Sequence, residues 1–222
     1  MSMMDFAESR MNMVKSQVRP SEVTDRRLLN ALLNLPRERF VPASRRPMAY
    51  VDEDILLNDE GEPRWLLEPM HFARLVQLAE IGAGHLVLDV GCGTGYSTAV
   101  LGRLADSVVG LESDPALCQT AEALMIELGI DNVAIVEGDL REGYPSQGPY
   151  DVIILEGAVE EVPEGLFKQL RNGGRLVAPV IEGGIGKAMV FHSIDGDVSH
   201  RVVYDMNVHR LPGFERPKTF VF

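Results

Sequence analysis

The chain of 222 residues has little of what indicates a metal site, a disulfide framework or a nucleic-acid surface. It contains two cysteines, Cys92 and Cys118, and neither belongs to a Cys-x-x-Cys pattern. We therefore expect no metal and a reducing compartment, with the cytoplasm as the default. Basic residues number 21 against 33 acidic ones and are scattered apart from two arginine pairs. A protein needs a basic surface to bind the phosphate backbone of a nucleic acid, so no nucleic-acid partner is expected.

Long apolar runs are also absent. The first twenty residues contain no continuous apolar stretch of the kind found in secretory signals, and no later segment is long enough to span a membrane. We expect neither a signal peptide nor a membrane partner. The length suits one sizeable α/β domain with a modest extension, and the composition is compatible with a monomer or a homodimer.

A glycine-rich loop is the most informative feature that is present. Residues 85–95 read HLVLDVGCGTG, an apolar strand followed by three glycines, and a helical pattern begins at Tyr96. Such a turn lets the backbone approach a nucleotide-like ligand closely. Asp89 before the glycines would repel a phosphate but attract a cationic centre. S-adenosylmethionine (SAM), with its sulfonium, amino group and ribose, fits this loop. An NAD site would normally read Gly-x-Gly-x-x-Gly.

Three further predicted strands also end in acidic residues. Glu112 ends 107–113, Asp139 ends 132–139 and Glu156 ends 150–157. Ligands of open α/β sheets bind at the carboxyl ends of the strands, so Glu112 should accept ribose hydroxyls and Asp139 should meet the adenine amino group. For Glu156, a solvated strand end explains the acid equally well. The predicted cofactor site comprises Asp89, Gly91, Cys92, Gly93, Thr94, Gly95, Glu112, Ser113, Asp139, Leu140 and Glu156.

Residues 1–82 read as an N-terminal extension with helical and irregular segments. The spacing in DFAESRMNMVKSQV predicts a helix with one apolar face, and RRLLNALLNL predicts a second helix that stops before Pro36. Thr24 or Asp25 can cap the second helix. A third helix is predicted from about Pro69 to Glu80. The apolar face of the first helix is assigned to Met11, Val14 and Val18, and that of the third to Phe72, Leu75, Val76 and Ala79.

Strands and helices alternate through residues 83–222, which we interpret as the cofactor-binding domain. A helix is predicted over 114–129, capped by Asp114 and ended by Gly129. A short helix near 164–170 and a strand over 173–180 follow. The last two strands are joined at Asp195-Gly196-Asp197, which is a hairpin signal. An α/β pattern that finishes in a hairpin predicts a mainly parallel, seven-stranded sheet with antiparallel pairing at its end.

Several segments resemble the protein-L-isoaspartate O-methyltransferase family. MVKSQV (13–18), DRRLLNAL (25–32), PRERFVP (36–42) and AYVDEDILL (49–57) resemble its N-terminal region in order and spacing. VLDVGCGTGY resembles its SAM loop, and YDVIILEGAVEEVPEGLFKQLRNGGRLVAPV resembles its second half. The resemblance implies a class I methyltransferase with a Rossmann-like sandwich. It also implies SAM as cofactor, S-adenosylhomocysteine as product, and protein or peptide substrates that carry isoaspartyl residues.

One motif departs from that family. Its members typically carry Gly-Gln-Thr-Ile-Ser just before a proline, whereas residues 63–67 here read PRWLL. Trp65 stands at the threonine position and Leu67 at the serine position, so both hydroxyls are replaced by apolar groups. The resemblance implies an acceptor site lined by Arg64, Trp65, Leu67 and His71. Arg64 is a candidate replacement for the lost carboxylate contacts, while Trp65 can pack as core and His71 can be an ordinary helix residue.

Three interpretations of function therefore remain open. The first is methylation of isoaspartyl carboxylates as a step in protein repair. The second is a methyltransferase of the same lineage with a different, unidentified acceptor. The third is a SAM-binding protein without catalysis. An ionised carboxylate attacking an activated methyl group needs no general base, so no catalytic triad is expected under the first interpretation.

Overall fold

The computed structural model describes residues 5–216, and a seven-stranded sheet runs through its centre. Its strands are β3 Leu86–Val90, β4 Ser107–Glu112, β5 Val133–Glu137, β6 Tyr150–Leu155, β7 Leu170–Glu182, β8 Ile185–Ile194 and β9 Asp197–Asp205. Their spatial order is β5-β4-β3-β6-β7-β8-β9. β3 to β7 are mutually parallel, and β8 runs antiparallel to both of its neighbours. The predicted mainly parallel sheet is therefore confirmed.

The hairpin between β8 and β9 forms at the predicted position, and its turn consists of Asp195 and Gly196. Asp195 and Gly196 adopt φ of 52° and 90°, the positive values that a tight hairpin turn needs. β7 begins at Leu170, earlier than the predicted strand at 173, and the short helix before it ends correspondingly early. The long β7 pairs with β8 from Arg175 to Glu182, which makes the antiparallel end of the sheet broad.

Both faces of the sheet are covered. Within β6, Val152 and Ile154 belong to one apolar core, whereas Ile153 and Leu155 belong to the other. This alternation follows from the period of two in a strand. The first core also contains α4 and α5, and the second contains α6 and the segment around Phe214. The helices of this part are α4 Tyr96–Gly102, α5 Pro115–Glu127 and α6 Glu164–Phe167.

The N-terminal extension packs onto the first core. Its helices are α1 Phe6–Met13, α2 Arg26–Asn34 and α3 Pro69–Leu78, and a short hairpin pairs β1 Ile55–Leu56 with β2 Trp65–Leu66. Asp25 caps α2 through the backbone NH groups of Arg27 and Leu28, as one of the two predicted caps. Asp114 caps α5 in the same way. The four residues predicted to face inward from α3 and its end are all buried.

The first helix differs from its prediction on one point. Val14 and Val18 are buried as expected, but Met11 is 40% exposed and Met13 is buried instead. α1 passes into a π-helical turn over Val14–Val18. Because a π turn holds more residues than an α turn, the regular spacing that placed Met11 with the two valines does not continue through it. Among residues 5–216, no helix combines the length and apolar character that crossing a membrane requires.

Candidate cofactor and acceptor site

The glycine loop joins β3 to α4 at the carboxyl edge of the sheet. Gly91, Gly93 and Gly95 all have positive φ, of 83°, 56° and 89°, a region that favours glycine. Thr94 donates from Oγ1 to the Phe40 carbonyl at 2.5 Å, which ties the loop to the N-terminal extension. Burial raises the pKa of the Cys92 thiol well above its usual range, so this side chain is a protonated apolar filler.

Asp89 lies beneath this loop and is completely buried. Its Oδ2 accepts hydrogen bonds from Ser97 Oγ at 2.7 Å and Thr98 Oγ1 at 2.6 Å, while its Oδ1 has no hydrogen-bond partner. Burial raises the pKa of Asp89 to about 6, against the lowering effect of the two hydroxyls. A buried acceptor with a free oxygen is suited to a donor or a cation from a ligand.

Glu112 ends β4 beside the same loop, and its carboxylate is fully occupied by donors. Oε2 accepts from the Gly93 amide at 2.8 Å and from Arg64 Nη2 at 2.7 Å. Oε1 accepts from the Ser113 amide at 2.8 Å, the Asp114 amide at 3.1 Å and Arg64 Nε at 3.2 Å. Arg64 therefore forms a two-point ion pair with Glu112, and both side chains are buried.

Side chains from distant segments pack directly against the glycine loop. A Cβ atom placed on Gly91 would lie 2.5 Å from Leu211 Cδ1 and 2.8 Å from Arg64 Nη2. One placed on Gly93 would lie 2.5 Å from Leu57 Cδ1. Leu57 and Leu211 were not among the predicted site residues, because nothing local to either position relates it to a loop more than thirty residues away.

A cavity of about 420 Å³ opens beyond the end of β4. It brings together three predicted cofactor residues, Ser113, Asp139 and Leu140, which come from two neighbouring strands. Asp139 uses Oδ1 to accept from the Arg141 amide at 2.8 Å, and this bond fixes the turn that forms one wall. The remaining lining residues are Glu62, Glu137, Gly138, Pro212 and Gly213.

Glu156, at the end of β6, is 7% exposed, so it is not a solvated strand end. Its Oε1 has no hydrogen-bond partner. Burial, with a further contribution from the charge of Asp89, raises the pKa of Glu156 well above its usual range. Asp89 and Glu156 thus place two incompletely satisfied carboxyl groups at adjacent strand ends, because β3 and β6 are neighbours.

On the acceptor side, the side chain of Trp65 stacks on His209. The ring centroids are 3.7 Å apart and the planes are inclined by 13°. His209 Nδ1 lies 2.8 Å from Asp54 Oδ2, while Asp54 Oδ1 accepts from the Glu68 amide at 2.8 Å. The side chain of His209 is half-exposed, and that of Asp54 is 8% exposed. This Asp54–His209 pair joins residues 155 positions apart, and only the tertiary structure reveals it.

The other two acceptor candidates lie in different surroundings. Leu67 is 2% exposed within the first core, and its carbonyl accepts from Arg37 Nη2 at 2.7 Å. His71 Nδ1 lies 2.7 Å from Glu68 Oε1 in α3, and burial lowers the pKa of His71. Burial and the charges of Asp52, Asp54 and Glu53 raise the pKa of Glu68 to about 7. The acceptor side is therefore strongly acidic.

The site suits a nucleoside with a cationic group. The positive-φ glycines form a backbone cradle, the cavity beyond β4 has room for a base, and Asp89 and Glu156 present free carboxyl oxygens. Within residues 5–216, no group of three or more histidine, cysteine, aspartate or glutamate residues is arranged to hold a metal ion. The predicted cofactor residues thus converge on one edge of the sheet. Arg64 is paired with the carboxylate of Glu112, which was expected to bind the ribose.

Sequence comparison adds independent information on this site. The family model for protein-L-isoaspartate(D-aspartate) O-methyltransferase matches residues 8–212. A protein-L-isoaspartate O-methyltransferase of Koribacter versatilis is 39% identical over 175 residues, which cover 79% of this chain and 78% of that protein. The enzyme of the same name from Methanoculleus marisnigri is 37% identical over 171 residues, 77% of this chain and 76% of that protein.

Solved structures agree with the fold. One structure of a protein-L-isoaspartate O-methyltransferase superposes with a TM-score of 0.80 at 30% identity, covering 92% of this chain and 66% of that one. The chain therefore spans just under two thirds of that solved relative. A Plasmodium falciparum structure described as a putative member in complex with S-adenosyl-L-homocysteine gives a TM-score of 0.76 at 20% identity, covering 93% and 97% of the two chains. Both confirm the predicted Rossmann-like methyltransferase fold.

Proposed function

Because the chain belongs to the protein-L-isoaspartate(D-aspartate) O-methyltransferase family, we propose that it methylates the free carboxylate of isoaspartyl residues in proteins and peptides. It is a SAM-dependent methyltransferase that releases S-adenosylhomocysteine. The observation that carries the proposal is the convergence of the glycine loop, Glu112 and the adjoining cavity at one sheet edge. The extension over residues 1–82 supplies the substrate side through Trp65 and its neighbours.

SAM supplies a methyl group that its sulfonium has already activated. An oxygen of the acceptor carboxylate forms the new bond to the methyl carbon as the carbon–sulfur bond breaks. The electron pair of that bond stays on sulfur, the two opposite charges are lost, and no proton is released. The protein needs only to align the groups and exclude water, because the acceptor is already ionised at neutral pH.

We assign the cofactor contacts as follows. Glu112 accepts the ribose hydroxyls, and the cavity lined by Ser113, Asp139 and Leu140 receives the adenine. Asp89 and Glu156 face the amino and sulfonium end through their free oxygens. The loop from Gly91 to Gly95, with Cys92 and Thr94, provides the close backbone approach. This division gives a role to every predicted cofactor residue.

The direct test is methyl transfer from labelled SAM to an isoaspartyl peptide, beside the same peptide with ordinary aspartate. We expect labelling of the isoaspartyl peptide alone. The product ester is labile in base, so release of labelled methanol identifies a carboxyl ester. Labelling of neither peptide by folded protein that binds SAM would reject the isoaspartyl acceptor.

A second candidate acceptor follows from the Asp54–His209 pair. The 2.8 Å contact from Asp54 to Nδ1 fixes the imidazole, and stacking on Trp65 holds its plane. Nε2 is then free to act as a base, the arrangement used to activate a neutral hydroxyl or amine. In that reaction the acceptor atom bonds to the methyl carbon, and its proton passes to Nε2 of His209 and then to water.

The two acceptors differ in their dependence on His209. For a carboxylate acceptor, His209→Gln should leave kcat unchanged, because no proton moves. For a hydroxyl or amine acceptor, His209→Gln should lower kcat, because the base that accepts the proton is lost. His200→Gln is a matched control, because His200 lies on β9, outside the site.

A further inference from the structure

The ion pair between Arg64 and Glu112 conflicts with the role of Glu112 in cofactor binding. Ribose hydroxyls need the same carboxylate oxygens that Arg64 now occupies through Nη2 at 2.7 Å and Nε at 3.2 Å. The backbone amides of Gly93, Ser113 and Asp114 take the remaining acceptor directions. Glu112 therefore cannot hold the guanidinium and a ribose diol together.

The position of the guanidinium is a second reason why Arg64 and the ribose cannot be bound together. Its Nη2 lies 2.8 Å from where a Cβ on Gly91 would stand, in the space that the glycine keeps open. The side chain is 5% exposed, and it lies between Glu112 and the glycine loop, which are both parts of the assigned cofactor site. Arg64 must leave this place before the ribose can bind Glu112.

We propose that Glu112 exchanges Arg64 for the ribose hydroxyls of SAM, and that the released guanidinium then binds the carboxylate of the acceptor. Arg64 is thus a specificity-determining residue, and acceptor binding follows cofactor binding. The second half of this inference rests on the proposed isoaspartyl activity. It supplies the carboxylate contact that the apolar residues Trp65 and Leu67 cannot make.

Two observations favour the acceptor as the next partner of Arg64. The guanidinium of Arg64 and the side chain of Leu211 occupy the same space beside Gly91, and Leu211 lies two residues after His209, whose ring stacks on Trp65. The groups around that side are acidic, namely Asp52, Glu53, Asp54 and Glu68, and a carboxylate cannot bind there without a cation. A planar guanidinium is also the side chain best suited to two-point binding of a carboxylate.

The exchange has a direct consequence for cofactor affinity. In the wild type, binding of SAM must first break a buried, two-point ion pair. Arg64→Met removes this competitor while preserving an unbranched side chain of similar reach. We therefore expect Arg64→Met to bind SAM and S-adenosylhomocysteine about tenfold more tightly, measured by titration calorimetry without any acceptor. Arg64→Lys, which retains the charge but cannot form the two-point pair, should lie between.

For the acceptor peptide, the same substitution should weaken binding instead of strengthening it. With SAM saturating, Arg64→Met should raise KM for the isoaspartyl peptide at least roughly tenfold, the effect of one charge-assisted contact. Arg64→Lys should recover part of the loss. The matched control is Arg39→Met, because Arg39 also pairs with a glutamate, Glu127 at 2.6 Å, but on the surface and outside the site. This control should change neither constant.

The SAM titration tests the exchange on Glu112, and the peptide KM tests the contact between Arg64 and the acceptor. Unchanged or weaker SAM binding by folded Arg64→Met, checked by its melting curve, would overturn the exchange on Glu112. Tighter SAM binding with an unchanged peptide KM would keep the exchange and overturn the acceptor contact. A wild-type protein that binds SAM but labels no isoaspartyl peptide would reject the proposed function, and with it the acceptor contact. Tighter SAM binding by Arg64→Met would still establish the exchange in that case.

Discussion

The indole of Trp65 lies against the imidazole of His209 with ring centroids 3.7 Å apart and a 13° angle between the planes. The stack joins the start of β2 to the segment that follows β9, and Asp54 contacts the edge of the imidazole at Nδ1. The resemblance to the family motif implies a threonine at the position of Trp65. A threonine is too small to form this stack, so the stack is a feature of this chain's departure from the motif.

Replacing Trp65 by threonine should raise kcat/KM for an isoaspartyl peptide. The change removes the stack and restores a hydroxyl beside the acceptor, which a carboxylate can use as a donor. Steady-state methyl transfer measures the effect, and Trp65→Phe, which keeps an aromatic face, serves as the control. If both variants match the wild type, the indole does not limit the reaction.

Leu67→Ser should behave differently from Trp65→Thr. Leu67 is 2% exposed in the first core, so its replacement removes packed methyl groups and buries a hydroxyl. We expect a loss of about 2–5 kcal/mol in the free energy of unfolding, the range for truncating a buried leucine. Denaturant unfolding measures it. A loss below about 1 kcal/mol would show that this position is open enough to serve an acceptor directly.

Gly93→Val should abolish SAM binding. Gly93 has φ +56°, and a Cβ there would lie 2.5 Å from Leu57 Cδ1, so the larger residue both strains the loop and displaces it from Leu57. Calorimetric titration with SAM is the measurement. Gly129→Val controls for the backbone cost, since Gly129 has φ +60° but no atom within 4 Å of its added Cβ. Equal SAM affinity in both variants would contradict the assigned cradle.

Glu112→Ala should weaken SAM binding by about 1–3 kcal/mol through loss of the ribose acceptor. It should also lower stability, because Arg64 is left as a buried charge without its partner. The double variant Glu112→Ala/Arg64→Met should recover part of that stability but none of the affinity. Melting curves and SAM titrations of the three variants separate the two roles. If the stability changes of the two single variants simply add in the double variant, Arg64 and Glu112 do not stabilise each other.

Glu68 should make the protein less stable as the pH rises through neutrality. Its pKa is raised to about 7 in the folded protein, mainly by burial, from an ordinary value of 4.5. The folded state therefore holds this proton more tightly, and its stabilising effect is complete below pH 4.5 and is lost progressively as the pH rises to about 7. Glu68→Gln should raise the melting temperature at pH 8 and leave it nearly unchanged at pH 4. The same gain at both values would exclude titration of Glu68 as its cause.

Local features of the fold could be predicted because their causes are local. Asp25 and Asp114 cap helices through backbone amides two and three residues away, and Asp195-Gly196 turns a hairpin by its own backbone preference. The glycine loop likewise follows from strand, glycines and helix in direct succession. Met11 was placed wrongly, since a π-helical turn decided by packing interrupts the regular helical spacing.

The sequence by itself determined the alternation of strands and helices, the cradle at Gly91 to Gly95 and the acids at the ends of four strands. Only the tertiary structure decided which groups those acids meet. Arg64 reaches Glu112 across 48 positions and His209 reaches Asp54 across 155, through a hairpin and a C-terminal segment folded over the sheet edge. Backbone preferences act within a few residues, whereas burial of charge and stacking of rings depend on surfaces that exist only after the chain has folded.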